Sequence, residues 1–218
     1  MRIDKDSISA VLLVWVLGLA AAFAILLFVP ILWVRLVSVF LILWFCIFNT
    51  YFFRVPNRRR ACDNRVVTSG ADGEVAWVRK AYEPEFLKRN CMLVSVYMNF
   101  YDMHANFWPV DGTVTYYKYH PGKHLLAFKP KAHEENEHTC TCIRTDNGRD
   151  VFFRQLAGGF ARRIVNYAAP GLQVQGGEQC GIIKFGSRFD IYLPMDAKIK
   201  VKKGMVLKAG ESVVALLQ

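Results

Sequence analysis

The sequence predicts a mainly β domain with a few helices, barrel-like or sandwich-like, preceded by an N-terminal hydrophobic helical hairpin. Two observations lead to this prediction. No charged side chain occurs from Ser7 to Val34 or from Leu36 to Phe53. The rest of the chain contains short apolar runs separated by Gly, Pro, Asp and Asn, which is typical of strands and turns. We therefore divide the chain into a membrane anchor, residues 1–53, and a second domain, residues 54–218.

The apolar N-terminal segment is long enough for two membrane helices. At a rise of about 1.5 Å per residue, the second uncharged run spans roughly 27 Å, close to the hydrocarbon thickness of about 30 Å. Pro30 offers a break between the helices, and Arg35 alone interrupts the uncharged runs. The alternative is one span plus an interfacial helix. A cleaved signal peptide is disfavoured because the segment is too long and lacks a small-residue cleavage site.

Positive charge follows the anchor directly. Only Asp63 opposes the arginines that come next, which are Arg54, Arg58, Arg59, Arg60 and Arg65. The positive-inside rule therefore predicts a cell-membrane protein whose second domain faces the cytoplasm. After residue 53 the chain carries 25 Lys and Arg against 16 Asp and Glu, which favours contact with an anionic membrane surface. Nucleic acid is the competing partner of a basic domain, but no aromatic-basic recognition motif occurs, so none is predicted.

Apolar runs predict strands throughout the second domain, and the clearest are residues 91–98, 112–119, 150–158 and 212–217. One helix is predicted around residues 158–168, in the segment GGFARRIVNYA. Asp72-Gly73 and Asp111-Gly112 each precede an alternating segment, which is ordinary turn chemistry at the start of a strand.

A Gly-Ser pair, Gly186 and Ser187, lies in the apolar segment GIIKFGSRFDIYLP. If this segment is one strand, Ser187 shares a face with the apolar side chains of Ile183, Phe185, Phe189, Ile191 and Leu193. Lys184, Arg188 and Asp190 would take the other face. A hydroxyl in such an apolar row is either a tolerated small residue or a group kept from water for chemistry.

The cysteines and histidines do not predict a metal site or a disulfide framework. Cys140 and Cys142 form the only close pair of cysteines, and alternate strand positions of this kind are usually structural. The segment HEENEH from His133 to His138 invites comparison with the zinc-peptidase motif HExxH. Its histidines are five residues apart rather than four and would not share one helical face.

Several segments, taken in order, resemble the pyruvoyl-dependent phosphatidylserine decarboxylases, in the short form of bacteria and archaea. The matching segments are FFRVPNR after the anchor, TSGADG around Asp72, DMHANFWPVDGTV from Asp102, YHPGK, ENEH, LAGGFARRIV and FGSR at residues 185–188. The resemblance covers most of the chain. Departures from the usual family residues are Val55 for Asp, Gly70 for Pro and His138 for Arg.

The resemblance implies a proenzyme that cleaves itself between Gly186 and Ser187. The Ser187 hydroxyl attacks the preceding carbonyl, and Gly186 leaves that carbonyl unhindered. Elimination and hydrolysis would leave a pyruvoyl group at residue 187, with a β chain of residues 1–186 and an α chain of residues 187–218. The pyruvoyl carbonyl would form a Schiff base with the amine of phosphatidylserine, and loss of CO2 would yield phosphatidylethanolamine. No metal is implied.

The resemblance also assigns candidate residues to the site. His104 is the candidate for proton transfer, with Asp72 orienting or activating it, although an ordinary buried histidine is the alternative. The family's longer form carries a second His three residues later, where this chain has Phe107. Arg162 and Arg163 are candidates for the substrate phosphate, with helix-surface charge as the alternative, and Lys123 is a further candidate.

Two other functions stay open on the sequence. The substrate could be another serine-headgroup lipid, archaetidylserine, because the sequence does not reveal the lipid tails. The chain could instead be a non-catalytic membrane-tethered module, since its C-terminal KIKVKKGMVLKAGESVVALL is similar to biotinyl or lipoyl carrier domains. It lacks their Lys flanked by Met at a hairpin tip. Assembly of the cleaved chains into a heterodimer, and further dimerisation, follow from the resemblance alone.

Overall fold

A computed structural model describes five stretches of the chain, which are residues 2–58, 65–123, 135–158, 163–184 and 187–218. The chain divides into two compact units, Met1–Asn57 and Arg58–Gln218. The predicted anchor lies within the first unit, and nearly all of the predicted catalytic domain lies in the second.

The first unit is a pair of apolar helices, α1 (Ile8–Phe28) and α2 (Leu32–Phe52). A short helical turn, Lys5–Ser7, precedes α1, and strand β1 (Arg2–Ile3) pairs with β2 (Arg54–Val55). The mean hydropathy is 2.9 over the first membrane-length segment and 2.1 over the second, and both are long enough to cross a membrane. The predicted helical hairpin is therefore present, and its composition indicates membrane association.

Specific contacts close the turn between the helices and join their faces. Arg35, the charge that interrupts the apolar sequence, donates hydrogen bonds of 3.0 and 2.7 Å to the Val29 carbonyl at the end of α1. Its guanidinium thus satisfies a carbonyl that the helix leaves without an intrahelical partner. Arg35 therefore stabilises the turn between the helices. Farther along the pair, Trp15 Nε1 of α1 donates to Thr50 Oγ1 of α2 at 2.8 Å and joins the two helix faces.

The second unit is built from antiparallel sheets. Its main sheet has eight strands, in the order β11-β7-β8-β9-β13-β5-β4-β15. Two three-stranded sheets, β10-β12-β6 and β14-β16-β3, complete it. The strand bounds are β3 Val66–Thr68, β4 Gly73–Glu83, β5 Arg89–Met98, β6 Ala105–Phe107, β7 Gly112–His120, β8 His138–Arg144, β9 Asp150–Ala157, β10 Arg163–Asn166, β11 Gln173–Val174, β12 Gln179–Lys184, β13 Ser187–Leu193, β14 Lys198–Ile199, β15 Val206–Leu207 and β16 Val213–Leu216. The predicted mainly β class and all four predicted strands are confirmed.

The main sheet is buried on both faces at β13. Every residue of β13 is buried, including Arg188 and Asp190, whose side chains form an ion pair of 2.9 Å. Ile183 lies in β12, in a different sheet, so the apolar row does not run through one strand. Within β13 the predicted alternation holds, because Phe189, Ile191 and Leu193 pack in one core cluster and Tyr192 packs in another.

The helix predicted around residues 158–168 is wrong where the structure describes it. Residues Arg163–Asn166 form strand β10, which pairs antiparallel with β12. Two adjacent β-branched residues, Ile164 and Val165, favour a strand, and Ile164 is buried by it. Residues 159–162 lie outside the described residues.

Glycine is required where the first Asp-Gly turn enters β4. Gly73 has φ +144°, and a Cβ there would collide with the Tyr97 carbonyl oxygen of β5. We expect Gly73→Ala to lower the free energy of unfolding by more than about 3 kcal/mol, because strain and a backbone clash act together. Gly148→Ala is the matched control, since Gly148 also has positive φ, +73°, but faces open space. It should cost only about 1 to 2 kcal/mol. Thermal unfolding of both variants tests this difference, and equal losses would contradict it.

Candidate active site

Ser187 begins the buried strand β13, between two neighbouring strands. It pairs with Met98 of β5 on one side and with Ala157 of β9 on the other. Its side chain is fully buried, and the hydroxyl donates a hydrogen bond to Met98 Sδ at 3.5 Å. Gly186 lies outside the described residues. The hydroxyl predicted to react is therefore held in a dry interior, at the point where the chain passes from β12 to β13.

A tight aromatic contact fixes the strand that carries Ser187. Phe189 stacks on Phe153 with ring centroids 5.0 Å apart. Gly70, which replaces the usual Pro of the family, lies directly against the Phe189 ring, and a Cβ at residue 70 would collide with that ring. Glycine at residue 70 thus leaves room for the aromatic side chain two residues after Ser187.

His104 is brought close to the same passage of the chain. Its carbonyl accepts the Ile183 N–H at 3.1 Å, which places it beside the end of β12. The imidazole is fully buried, and its Nδ1 lies 2.8 Å from the Asp102 carbonyl oxygen. A carbonyl can only accept, so Nδ1 carries the hydrogen. In the neutral ring Nε2 is then the nitrogen that does not carry the hydrogen.

A buried polar network joins Ser187 to the strand that follows His104. Met98 Sδ accepts hydrogen bonds from Ser187 Oγ and, at 3.7 Å, from Asn106 Nδ2. Asn106 Oδ1 accepts from Gln155 Nε2 at 2.7 Å, and Gln155 Oε1 accepts from Asn166 Nδ2 at 2.7 Å. Sequence reasoning missed this network. Asn106 could have been found from its place in the DMHAN segment. The contacts of Met98 and Gln155 depend on strand register, which the sequence does not show.

The Asp72 carboxylate is held by groups other than His104. Asp72 Oδ2 accepts from Arg58 at 2.7 Å, and Oδ1 accepts from the Ala209 N–H at 2.7 Å. The same loop is tied to the His104 segment through the Gly70 carbonyl, which accepts the Phe107 N–H at 2.9 Å. Asp72 thus lies in a loop bonded to the His104 segment, and its role in activating His104 stays a prediction.

The predicted phosphate-binding residues are only partly described. Arg162 lies outside the described residues. Arg163 is exposed at the start of β10, directly opposite Lys184 of β12, two residues before Gly186. Lys123 is exposed and forms an ion pair of 2.9 Å with Glu135. Lys184, which the sequence did not single out for phosphate binding, therefore joins Arg163 as a cation near the predicted cleavage position.

The comparisons with known proteins identify the family. The family model described as phosphatidylserine decarboxylase matches residues 45–215. A protein of Amoebophilus asiaticus named phosphatidylserine decarboxylase proenzyme is 41% identical over 165 residues, covering 76% of this chain and 73% of that protein. A protein of the same name from Prosthecochloris aestuarii is 39% identical over 201 residues, covering 92% and 91%. The chain belongs to the phosphatidylserine decarboxylase family.

Proposed function

We propose that this protein decarboxylates phosphatidylserine to phosphatidylethanolamine, using a pyruvoyl group made from its own Ser187. The observation that carries the proposal is the position of Ser187, which combines the FGSR segment with full burial at the head of a central strand. The enzyme would be a carboxy-lyase of phospholipid biosynthesis that is made as a zymogen.

Maturation begins with the Ser187 hydroxyl. Its oxygen attacks the Gly186 carbonyl carbon, the C–N bond breaks, and an ester replaces the peptide bond. Elimination releases the Gly186 carboxylate and leaves dehydroalanine at residue 187, whose hydrolysis releases ammonia. His104 Nε2 is suited to accept the hydroxyl proton, because Nδ1 is engaged by the Asp102 carbonyl.

The two products of cleavage would stay together without a covalent bond. Strand β13 of the α chain is paired with β5 on one side and β9 on the other, and both belong to the β chain. Strands β15 and β16 of the α chain likewise pair with β4 and β3. We infer a heterodimer of the cleaved chains, which could dimerise further.

The surroundings of Ser187 suit a pyruvoyl group. When present, its carbonyl supplies an electrophile for the substrate amine and an electron sink for loss of the carboxylate. Met98 and Phe189 are fully buried and keep water from this position. In this proposal His104 returns a proton to the substrate carbon, and Arg163 and Lys184 are cationic partners for the phosphate, with Lys123 and Arg162 as further candidates.

The substrate reaches the site from the bilayer that holds the apolar hairpin. The arginines after the anchor favour a cytoplasmic position for the catalytic unit and contact with anionic headgroups. Protease protection in inverted and right-side-out membrane vesicles tests this orientation, since only inverted vesicles should expose the second unit.

The decisive experiment combines intact mass with a decarboxylation assay on the full chain in lipid nanodiscs. We expect two chains that separate under denaturing conditions, CO2 release from phosphatidylserine, and loss of activity on borohydride treatment with substrate. Serine lipids with ester-linked and ether-linked tails, compared at equal concentration, separate phosphatidylserine from archaetidylserine. An uncleaved 24.9 kDa chain without CO2 release would favour the non-catalytic module instead.

Asp72→Asn is expected to slow self-cleavage at least about tenfold without unfolding the protein. The amide oxygen can still accept the Ala209 N–H, whereas the charge that pairs with Arg58 is lost. Glu211→Gln is the matched control, because Glu211 lies 3.9 Å from the same Arg58 but is more exposed. Time courses of chain cleavage measure both variants. Cleavage of Asp72→Asn at the wild-type rate would remove Asp72 from maturation.

A further inference from the structure

Four side chains with metal-ligating atoms meet on the main sheet, apart from the Ser187 site. They are Glu85, His120, His138 and Cys140, and their ligand atoms all lie within 4.8 Å of one another. We refer to them as the four-ligand cluster. It is formed by the β4–β5 turn, the end of β7 and the start of β8, where His120 and His138 are directly opposite each other. We propose that this cluster binds a zinc ion or a chemically similar transition-metal ion.

The donor set is the first argument for this metal class. Zinc in proteins takes imidazole nitrogen, thiolate sulfur and carboxylate oxygen, most often four ligands in a tetrahedral arrangement. Cys140 is fully buried and the other three side chains are half-buried, so a bound ion would be shielded from water on several sides. A hard cation such as Mg2+ prefers an all-oxygen set, which the cluster does not offer.

The hydrogen bonds around the cluster orient its ligands. His138 Nδ1 lies 2.7 Å from the Asn136 carbonyl oxygen, so Nδ1 carries the hydrogen and the neutral ring presents Nε2 as a ligand. Tyr116 donates to Glu85 Oε1 at 2.7 Å and holds the carboxylate in place.

The Glu85 carboxylate is the centre of the cluster's hydrogen bonds. Tyr116, His120 and Cys140 each contact one of its oxygens. Cys140 donates through its thiol, and a metal ion would replace that thiol proton.

Two short hydrogen bonds show where a metal ion would replace protons. Glu85 Oε1 lies 2.7 Å from His120 Nε2, and Glu85 Oε2 lies 3.1 Å from Cys140 Sγ. Tetrahedral zinc needs its ligand atoms about 3.3 to 3.8 Å apart, so these pairs must open by roughly 1 Å or less. The stacked imidazoles, 4.5 Å apart, must turn about their Cβ–Cγ bonds. Binding would replace the Cys140 thiol proton, and His120 Nε2 would have to face the ion without its hydrogen.

Cobalt substitution on the purified full chain tests the proposal without relying on decarboxylation. Metal-stripped protein should bind one Co2+ with tetrahedral d–d bands and a thiolate charge-transfer band, and should lose both bands on addition of Zn2+. Cys140→Ser should abolish the thiolate band. His138→Arg, which introduces the residue usual in the family, should fold normally and weaken Zn2+ binding at least about 100-fold.

Cys142→Ser is the matched control, since Cys142 is a buried thiol two residues along the same strand but outside the cluster. Its cobalt spectrum should equal that of the wild type. A thiolate band that survives Cys140→Ser, unchanged Zn2+ affinity in His138→Arg, or a wild-type chain without a tetrahedral cobalt spectrum would each overturn the proposal. Decarboxylase activity plays no part in these readouts, so they stand or fall independently of the proposed reaction.

Discussion

Replacing Ser187 by Ala is expected to leave a single uncleaved chain of 24.9 kDa with decarboxylation at background level. The variant lacks the oxygen that attacks Gly186, so neither the ester nor the group derived from it can form. Removing one buried hydroxyl should cost only about 0.5 to 1.5 kcal/mol of stability, so the chain should still fold. Intact mass, an assay of CO2 release and the thermal midpoint measure the three effects.

Ser95→Ala is the matched control for this variant. Ser95 is also a fully buried serine, on the neighbouring strand β5. It lies opposite Asp190, and Asp190 is three residues after Ser187 in β13. We expect normal cleavage and activity from it. If Ser187→Ala were cleaved between residues 186 and 187, or released CO2, the proposed origin of the pyruvoyl group would be incorrect.

Replacing His104 by Ala is expected to slow decarboxylation by about 10²- to 10⁴-fold, the usual contribution of a general acid or base. Self-cleavage should slow as well, because this chain has Phe107 where the family's longer form carries a second His. The fraction of cleaved chain over time and the turnover per cleaved chain separate the two effects.

Two companion variants distinguish loss of the imidazole from loss of structure. His104→Asn keeps a side-chain N–H that can reach the Asp102 carbonyl, yet it cannot transfer protons near neutral pH, so it should fail like His104→Ala. Met103→Leu changes the packing of the residue that precedes His104. It should lower the free energy of unfolding by less than about 1.5 kcal/mol and retain activity. Wild-type cleavage and turnover in both His104 variants would remove this residue from the mechanism.

Local sequence patterns predicted the parts of the fold that depend on local physics. The apolar runs identified both helices and the strands at residues 91–98 and 150–158, because side-chain periodicity follows directly from helix and strand geometry. The helix predicted around residues 158–168 failed because small and basic residues suit a helix, while pairing with β12 favours a strand from Arg163 onward.

Contacts between distant segments could not be predicted in the same way. The placement of Met98 between Ser187 and Asn106 depends on the register of β5 with β13. The four-ligand cluster likewise needs β7 and β8 to pair so that His120 faces His138. Nothing in one sequence fixes such a register, whereas the motif resemblance identified Ser187 without it.

Strand β13 of the proposed α chain lies between two strands of the proposed β chain, β5 and β9. Before cleavage, β13 finds β5 and β9 within one molecule, and folding does not depend on concentration. After cleavage, the same pairing would have to form between two separate molecules, one of which is too short to fold alone. If the chain is cleaved as proposed, the enzyme would be assembled once, and a mature molecule that unfolds should refold only slowly, because its fragments must meet before they aggregate.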